Sequence, residues 1–449
     1  MKRSCLVCGW CLLLSTAWLF GQGADVFPPA ESLVVEGVPA IEAALAENAS
    51  RYSEFRSADL LDWHPTRREI LIGTRFADSN QVHRVENPGG DRRQLTFFPD
   101  RVLAASFHPK QGDYFIFTKD KGGNEFFQFY RCDLAGGEST LLTDGKSRNT
   151  GAVWSNAGDR IAYGSTRRTR SDVDFFVMDP ANPSTDRLLT ENRGGGWGVV
   201  DWSCDDKQLL VAESISINES YVWLVDVESG QKKLVTPKGK GEKIAYYPVA
   251  FGKDGKGVYV LTDRGSEFMR LAYLDLGSNE HTYLTADIPW DVESARLSRD
   301  GTRIAFDTNE NGISRLHLLD TSTKSSLPLP VLSDGVITHL KWHENNRDLG
   351  FVIASARSTA DAYSIDTVSG TLDRWTRSET GGLDPVRFAE PRLIAWKTVD
   401  GREISGFLYR PPDKFTGKRP VIVNIHGGPE GQSRPIFLGR NNYFLNELG

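Results

Sequence analysis

Short apolar strands separated by polar turns recur through most of the chain. The clearest units are hairpins: a short strand, a turn of Asp, Gly, Asn or Lys, and a second strand in which apolar and polar residues alternate. An apolar anchor residue closes the first strand of each hairpin, at spacings of 44 to 49 residues: Trp63, Phe107, Trp154, Trp202, Phe251, Leu297 and Trp342. The pattern predicts seven copies of one β unit.

A second series of residues runs in step with these anchors. It consists of one hydroxyl residue at the end of each unit: Thr96, Thr143, Thr190, Thr236, Thr285, Ser333 and Thr376. Between the two series lie third strands that end in Asp before a Gly/Ser turn into a fourth strand. Because one such sheet cannot bury both faces alone, its aromatic anchors should pack against neighbouring sheets. Four strands in about 47 residues, repeated seven times, predict an all-β seven-bladed propeller over residues 58–383.

The N-terminus has the pattern of an export signal. Lys2 and Arg3 precede an apolar core over residues 6–20, and a Gly/Ala-rich stretch offers a cleavage site near Gly23. The core is shorter than the roughly 20 residues that a spanning helix needs. We therefore expect residues 1–23 to be a cleaved signal peptide, with no membrane attachment afterwards and a periplasmic or secreted location.

Residues 24–57 form the predicted N-terminal segment. Within 38–52, Ile41, Leu45 and Ala49 recur at helical spacing, which predicts a short amphipathic helix before the first blade.

Charge and cysteine content narrow the function classes. The net charge of −6 argues against a nucleic-acid partner. Three of the five cysteines, Cys5, Cys8 and Cys11, lie in the signal; Cys132 and Cys204 remain, and we expect two separate thiols, with a disulfide as the alternative. No metal-ligand spacing surrounds these residues, and we expect neither metal nor cofactor.

Two groups of chemically suggestive residues are assigned structural roles. His64, His108 and His343 follow their anchors at equivalent positions of different repeats, which favours packing over catalysis. The basic cluster Arg167-Arg168-Thr169-Arg170 is expected on a solvated loop.

After about Leu383 the repeat stops and a different pattern begins. Residues 384–449 predict, in order, these elements: strands over 392–399 and 403–409, an apolar strand at Val421–Ile425, the turn His426-Gly427-Gly428-Pro429, and a helix ending at Gly449. Strand, hairpin, strand, Gly-rich loop and helix are typical of the start of an α/β-hydrolase domain. In such domains a backbone N–H of this loop stabilises the oxyanion of acyl transfer, by roughly 3–4 kcal/mol per donor.

With this motif in place, the chain resembles the prolyl oligopeptidase family of serine peptidases, in the branch of acylaminoacyl-peptidases and dipeptidyl-aminopeptidase-like enzymes. The resemblance covers residue 38 to the end, and "IHGGPEGQSRP" is its most specific motif. It implies that the propeller caps the active site and admits only short peptide substrates. It also implies that a hydrolase domain supplies a Ser–Asp–His triad. It further implies that the Gly428 N–H is an oxyanion donor, with Gly427 shaping the loop.

The sequence departs from the family at the nucleophile. No Gly-x-Ser-x-Gly occurs in the 449 residues. In α/β-hydrolases the nucleophile, Asp and His follow the oxyanion loop in that order, so all three would lie beyond Gly449. We therefore expect an inactive N-terminal fragment of an exported peptidase, with an incomplete α/β-hydrolase domain at 384–449 that is poorly ordered or aggregation-prone in isolation.

Two other functions use the same repeats. A periplasmic TolB-like propeller would act as a protein-binding module, although it would have no use for "IHGGP". A propeller glycosidase would need paired carboxylates in the central channel. Peptide specificity stays open between dipeptidyl, acylaminoacyl and endopeptidase action, because nothing ranks acidic candidates such as Glu125, Glu219 and Glu310. The oligomeric state is also open.

Overall fold

The computed structural model describes residues 25–238, 241, 243–428 and 430–449. The predicted signal peptide, with Cys5, Cys8 and Cys11, lies outside these residues. Seven antiparallel sheets follow one another along the chain, and each is built from consecutive strands in spatial order. They are the seven blades of an all-β propeller, which confirms the prediction from the repeats.

The blades are numbered along the chain, and their strands are as follows: blade 1, Asp59–Trp63, Ile70–Thr74, Gln81–Val85 and Arg93–Gln94; blade 2, Val102–Phe107, Tyr114–Lys119, Gln128–Asp133 and Ser139–Leu141; blade 3, Asn149–Trp154, Ile161–Ser165, Asp174–Asp179 and Asn182–Thr190; blade 4, Trp197–Trp202, Gln208–Ser216, Glu219–Asp226 and Lys232–Leu234; blade 5, Tyr246–Phe251, Gly257–Thr262, Arg270–Asp275 and His281–Tyr283; blade 6, Asp291–Leu297, Arg303–Glu310 and Ile313–Asp320; blade 7, Val336–Trp342, Asp348–Ser355, Ser358–Asp366 and Leu372–Arg374.

The first strands of the blades form the inner ring of the propeller. First strands of neighbouring blades pack against one another, and all seven predicted anchors are the last residue of their first strand. The tryptophan anchors also donate an indole hydrogen bond to the preceding blade: Trp154 to Ser106 Oγ at 3.1 Å, Trp202 to the Val153 carbonyl at 3.0 Å, and Trp342 to the Arg296 carbonyl at 2.9 Å. The anchors therefore recur because each one joins two blades.

In five blades the recurring hydroxyl residue, just after the fourth strand, is hydrogen-bonded to the main chain of the third strand. Its side-chain oxygen accepts from a main-chain N–H located 14 residues earlier: Thr96 from Val82, Thr143 from Phe129, Thr236 from Val222, Thr285 from Leu271 and Thr376 from Ala362. These N–H groups are buried, and a buried donor needs an acceptor. The second sequence marker thus has a hydrogen-bonding cause.

The ring closes between blades 7 and 1 without a shared strand, since each blade is one contiguous segment. The Trp63 indole donates to the Lys341 carbonyl at 3.1 Å, and the Ala58 N–H donates to the Ala360 carbonyl at 3.0 Å. Around these bonds lies a buried apolar cluster that includes Trp63 and Trp375. Side-chain packing and a few main-chain bonds therefore carry the closure.

Blade 6 has three strands rather than the predicted four. After its third strand the Leu327 N–H donates to the Leu318 carbonyl at 2.8 Å, and pairing then stops. Pro328 and Pro330 follow, and proline has no N–H to contribute to a ladder. For this reason Ser333, the sixth member of the hydroxyl series, has no fourth strand before it.

The three predicted structural histidines do have structural roles. Each ring Nδ1 accepts a main-chain N–H of the turn that follows: His64 from Arg67, His108 from Gln111 and His343 from Asn345, each at 3.1 Å. These rings hold the hairpin turns after the anchor strands.

The two cysteines among the described residues and the basic cluster also agree with expectation in part. Cys132 is a buried free thiol and Cys204 an exposed one. The basic cluster lies on the loop between the second and third strands of blade 3, but two of its guanidinium groups are ion-paired. Arg167 lies 2.5 Å from Asp186, and Arg168 lies 2.7 Å from Asp174.

The N-terminal helix is shorter and more exposed than predicted. It runs over Ala43–Ser50, and no residue of the helix is buried. Ile41 instead belongs to a short strand, Ile41–Glu42, which pairs with Val26–Phe27. The apolar face predicted from Ile41 and Leu45 therefore does not form one buried stripe.

Beyond the blades the structure confirms a hairpin and a helical end. The hairpin consists of Arg392–Lys397 and Glu403–Leu408, and a 3-10 turn at Pro385–Arg387 precedes it. The chain ends in a 3-10 turn at Gly439–Asn441 and a π-helical turn at Phe444–Leu448, whose last N–H, from Gly449, donates to the Phe444 carbonyl.

The predicted strand at Val421–Ile425 is wrong in this structure. The segment is irregular, and its four aliphatic side chains are between 68% and 81% exposed. An isolated strand has no ladder of hydrogen bonds, and no strand of the described residues pairs with this one. The start of an α/β-hydrolase sheet is accordingly not formed.

Candidate active site

The two candidate site residues lie together on an exposed turn. Gly428 has a φ of +90°, and a Cβ atom there would meet its nearest neighbour, the Gly431 N, at 3.7 Å. A Cβ at Gly427 would meet nothing within 4 Å. Among the described residues no oxygen accepts a hydrogen bond from either N–H. The turn therefore presents main-chain donors that are free to bind an anion.

Backbone conformation explains the glycine at the second of these positions. A φ of +90° is strained for any residue that carries a Cβ, and glycine adopts it without that cost. The preceding His426 directs its Nδ1 to the Gly427 carbonyl at 3.1 Å, within its own turn. The histidine thus lies beside the loop and has no serine partner there.

The residues that follow this turn dock on blade 6. The Arg434 side chain, only 15% exposed, contacts both carboxylate oxygens of Glu293 at 2.8 and 3.0 Å. The same guanidinium donates to the Gly312 carbonyl at 2.5 Å and to Ser314 Oγ at 3.0 Å. Sequence reasoning missed these contacts, because Arg434 and Glu293 are 141 residues apart.

Aromatic contacts join the C-terminal segment to the N-terminal segment. Phe437 packs edge-on against Phe55 and Phe388, with ring centroids 5.2 and 5.0 Å apart. The Tyr52 hydroxyl donates to Glu447 at 2.6 Å, and burial, reinforced by this carboxylate, raises the pKa of Tyr52 to about 12. The two ends of the described chain therefore meet beside the propeller.

A buried carboxyl lies behind the Arg434 contact. Asp307, on the second strand of blade 6, is 1% exposed and accepts from Ser294 Oγ at 2.5 Å. Burial raises its pKa from an ordinary value of 3.8 to about 6, with Ser294 and Arg434 opposing the rise and Glu293 adding to it. This carboxyl changes its charge close to neutral pH.

The three acidic candidates for substrate recognition lie in or next to the connections between the second and third strands. Glu125 is in that connection of blade 2, Glu219 is the first residue of the third strand of blade 4, and Glu310 is the last residue of the second strand of blade 6. Glu125 is exposed, with a φ of +61°. Glu219 accepts from the Tyr221 hydroxyl at 2.6 Å, and Glu310 from Thr308 Oγ1 at 3.0 Å. They belong to three different blades, and the carboxylates of Glu219 and Glu310 each bond to a hydroxyl of their own blade.

The histidines of the described residues are not paired with serines. Their rings contact threonine hydroxyls and main-chain atoms, and no serine hydroxyl in this part of the chain bonds to a histidine ring. In the same part of the chain, no group of three His, Cys, Asp or Glu side chains is arranged to hold a metal ion. None of its helices is long and apolar enough to cross a bilayer.

Comparison with known proteins gives several curated relatives and many related folds. No protein-family model matches the chain. The chain is 20% identical over 376 residues to the dipeptidyl aminopeptidase BIII of Pseudoxanthomonas mexicana, a match that covers 80% of this chain and 53% of that protein. The chain thus spans about half the length of the curated relative.

Solved structures share the propeller. A structure from a study of two prolyl endopeptidases superposes with a TM-score of 0.66 at 16% identity, over 82% of this chain and 57% of that one. Prolyl oligopeptidase B from Galerina marginata, bound to a 35mer hydrolysis and macrocyclization substrate, gives 0.65 at 14% identity over the same shares. A puromycin hydrolase mutant complexed with PGG gives 0.68 at 18% identity, over 88% of this chain and 66% of that one. At these identities the likeness shows a common fold.

Proposed function

We propose that this chain is the N-terminal propeller part of a serine peptidase of the prolyl oligopeptidase family, which hydrolyses short peptides through an acyl-enzyme. The likeness to the dipeptidyl aminopeptidase BIII and to the solved propeller structures supports this proposal. The propeller controls which peptides reach the site. Residues 384–449 are the first part of the α/β-hydrolase domain, and the Gly428 N–H is one donor of its oxyanion hole, with Gly427 shaping the loop.

The observation that carries this proposal is the turn at residues 426–428. Its two glycine N–H groups have no acceptor among the described residues, and Gly428 has the positive φ that reserves the position for glycine. Arg434, a few residues later, docks on the inner strand of blade 6. A free pair of donors beside the propeller rim is suited to a site that takes peptides admitted by that propeller.

We also propose that this chain is inactive by itself. The sequence contains no Gly-x-Ser-x-Gly, and a triad without its serine retains only a small rate over water. A fluorophosphonate probe, which labels activated serines, should label the longer protein encoded at this locus and leave the 449-residue chain unlabelled. Labelling of this chain would refute its predicted inactivity.

The activity itself is tested on the longer protein with chromogenic Ala-Ala and acyl-Ala substrates. Cleavage of the first, which has a free N-terminal dipeptide, favours a dipeptidyl specificity, and cleavage of the second favours an acylaminoacyl one. Absence of hydrolysis, together with absence of probe labelling, would refute the peptidase proposal, and a protein-binding propeller would then be the better interpretation.

The oxyanion role is tested with two glycine variants. Gly428→Ala places a Cβ on a residue with a φ of +90°, so the turn must change and the N–H must move. Losing one such donor lowers kcat by about 100-fold or more. Gly417→Ala is the matched control, because Gly417 also has a positive φ, of +78°, its Cβ would meet nothing within 4 Å, and it lies outside the turn at residues 426–428. Equal kcat values for the two variants would contradict the assignment.

Export is a further part of the proposal, supported by the pattern of residues 1–23. N-terminal sequencing of protein recovered from outside the cytoplasm should begin near Ala24. An intact Met1 on that protein would contradict cleavage.

A further inference from the structure

Arg434 makes a contact with the propeller that uses most of its hydrogen-bonding groups. One terminal nitrogen bridges both oxygens of Glu293, the other reaches Ser314 Oγ, and Nε reaches the Gly312 carbonyl. A planar guanidinium held on several sides has little freedom to rotate. This side chain is therefore suited to fixing the orientation of the segment that carries it.

The partners of Arg434 belong to the inner rim of blade 6. Glu293 lies on the first strand, at the register shift between Val292 and Ser294. Gly312 is at the tip of the hairpin that joins the second and third strands. Because a bulge redirects the side chain of the extra residue, Glu293 can point out of the sheet towards the docked segment.

Neighbouring contacts add to this attachment. Gln432 accepts from Asn309 Nδ2 at 2.7 Å. At Gly312, which has a φ of +88°, a Cβ would lie 2.9 Å from the Phe407 ring and 3.3 Å from the Ser433 carbonyl. The hairpin tip of blade 6 thus receives the docked segment at a position where only glycine fits.

The attached residues follow the Gly-rich turn closely. Arg434 is six positions after Gly428 (434 − 428), and six residues span at most about 21 Å. The turn itself has exposed residues and few contacts of its own, so its position depends on what holds the residues after it. The Arg434 contact is the most extensive polar attachment in this stretch.

We propose that Arg434 is a positioning residue: by binding Glu293, Gly312 and Ser314 it sets the place of the turn at residues 426–428 relative to the rim of blade 6. The consequence for catalysis rests on the proposed function, since it concerns the direction in which the Gly428 N–H points.

The position of the turn can be measured on this chain without any activity. Nitroxide labels are placed on Gly427→Cys and Lys121→Cys in a background in which Cys5, Cys8, Cys11 and Cys204 are replaced by Ser, because Cys204 is exposed, whereas Cys132 is buried and can stay. Pulsed electron resonance then gives the distribution of distances between turn and blade 2. The variants are Arg434→Met and, from the blade side, Glu293→Ala. The control is Arg440→Met, an exposed arginine of the same segment.

We expect Arg434→Met and Glu293→Ala each to broaden the distribution at least twofold, and Arg440→Met to leave it unchanged. Circular dichroism confirms that the blades are folded in each variant. If Arg434→Met and Glu293→Ala both match Arg440→Met, the proposed attachment is refuted.

In the longer protein, Arg434→Met should lower kcat at least tenfold while KM changes less than twofold. The reason is that the substitution displaces the Gly428 N–H donor but leaves the access of peptides to the site unchanged. A broadened distribution with unchanged kcat would overturn the positioning role. A wild type without hydrolysis would instead refute the proposed function, and the distance measurement would still decide whether Arg434 fixes the turn.

Discussion

The buried carboxyl of Asp307 makes a stability prediction that can be worked out in sign and size. Replacement by Asn keeps the volume and the acceptor for Ser294 Oγ, but it removes the ionisable group. Because the folded protein raises the pKa of Asp307 from 3.8 to about 6, the folded state binds this proton more tightly than the unfolded state does. Stability from this group therefore falls as the pH rises from 3.8 to about 6, and it stays lower above that range.

The size follows from the same numbers. A pKa that rises from 3.8 to about 6 corresponds to about 3 kcal/mol, at about 1.4 kcal/mol for each tenfold change in proton affinity. This is an upper limit, since water and neighbouring groups relax around a charge. Asp307→Asn should thus be more stable than the wild type at pH 8 by as much as about 3 kcal/mol and should differ little from it at pH 4.

Urea unfolding followed by tryptophan fluorescence at pH 4, 6 and 8 measures this difference. Other groups titrate in both proteins, so they cancel when the variant is compared with the wild type at each pH. Asp287→Asn, which changes an exposed carboxylate, is the control and should show no such trend. If Asp307→Asn differs from the wild type by the same amount at pH 4 and pH 8, burial of an ionised Asp307 is not the cause of any stability difference.

Two further predictions concern the blades. Trp63→Phe removes the indole donor to the Lys341 carbonyl at the ring closure. We expect the free energy of unfolding, measured in urea, to fall by about 1–3 kcal/mol. An unchanged midpoint would show that this bond does not secure the closure. Thr236→Val leaves the buried Val222 N–H without its acceptor and should cost a similar amount. Ser333→Ala should have no measurable effect, because blade 6 lacks the corresponding bond; equal losses in the two variants would refute the hydrogen-bonding account of the marker.

The blades could be predicted from the sequence because their causes are local. A Thr oxygen reaches a main-chain N–H 14 residues earlier, as Thr236 does at Val222, and the next repeat presents the same spacing again. An anchor such as Trp202 contacts the preceding blade 49 residues away, which is one repeat length. Contacts that recur at a constant spacing leave a period in the amino-acid sequence, and that period is enough to predict the blades.

The three-stranded blade shows where that reasoning fails within the propeller. The markers stay in register through Ser333, so the repeat predicts a fourth strand there. Pro328 and Pro330 lie where that strand should begin, and the main chain after Leu327 makes no ladder with the third strand. A repeat fixes where a strand would fall, whereas the local main-chain donors decide whether it forms.

The region after the blades depends on contacts without a period. The hairpin at residues 392–408 was predictable, because each strand has its partner next to it in the sequence. Val421–Ile425 has the composition of a buried strand but no adjacent partner, so composition alone predicts a strand that is not formed here. Its exposed aliphatic side chains are consistent with a segment that another strand would cover, and its tendency to aggregate stays a prediction.

The same distinction explains why the sequence indicates the Gly-rich turn but not its attachment. Gly428 is recognisable in the motif, because a positive φ and free donors are properties of the turn alone. Arg434 is one arginine among many in the sequence, and only the fold brings Glu293, 141 residues earlier, to its guanidinium. The proposed site therefore combines a turn that the motif encodes with a position that, in our proposal, blade 6 supplies, and a substitution at Glu293 should move the turn while the motif itself stays unchanged.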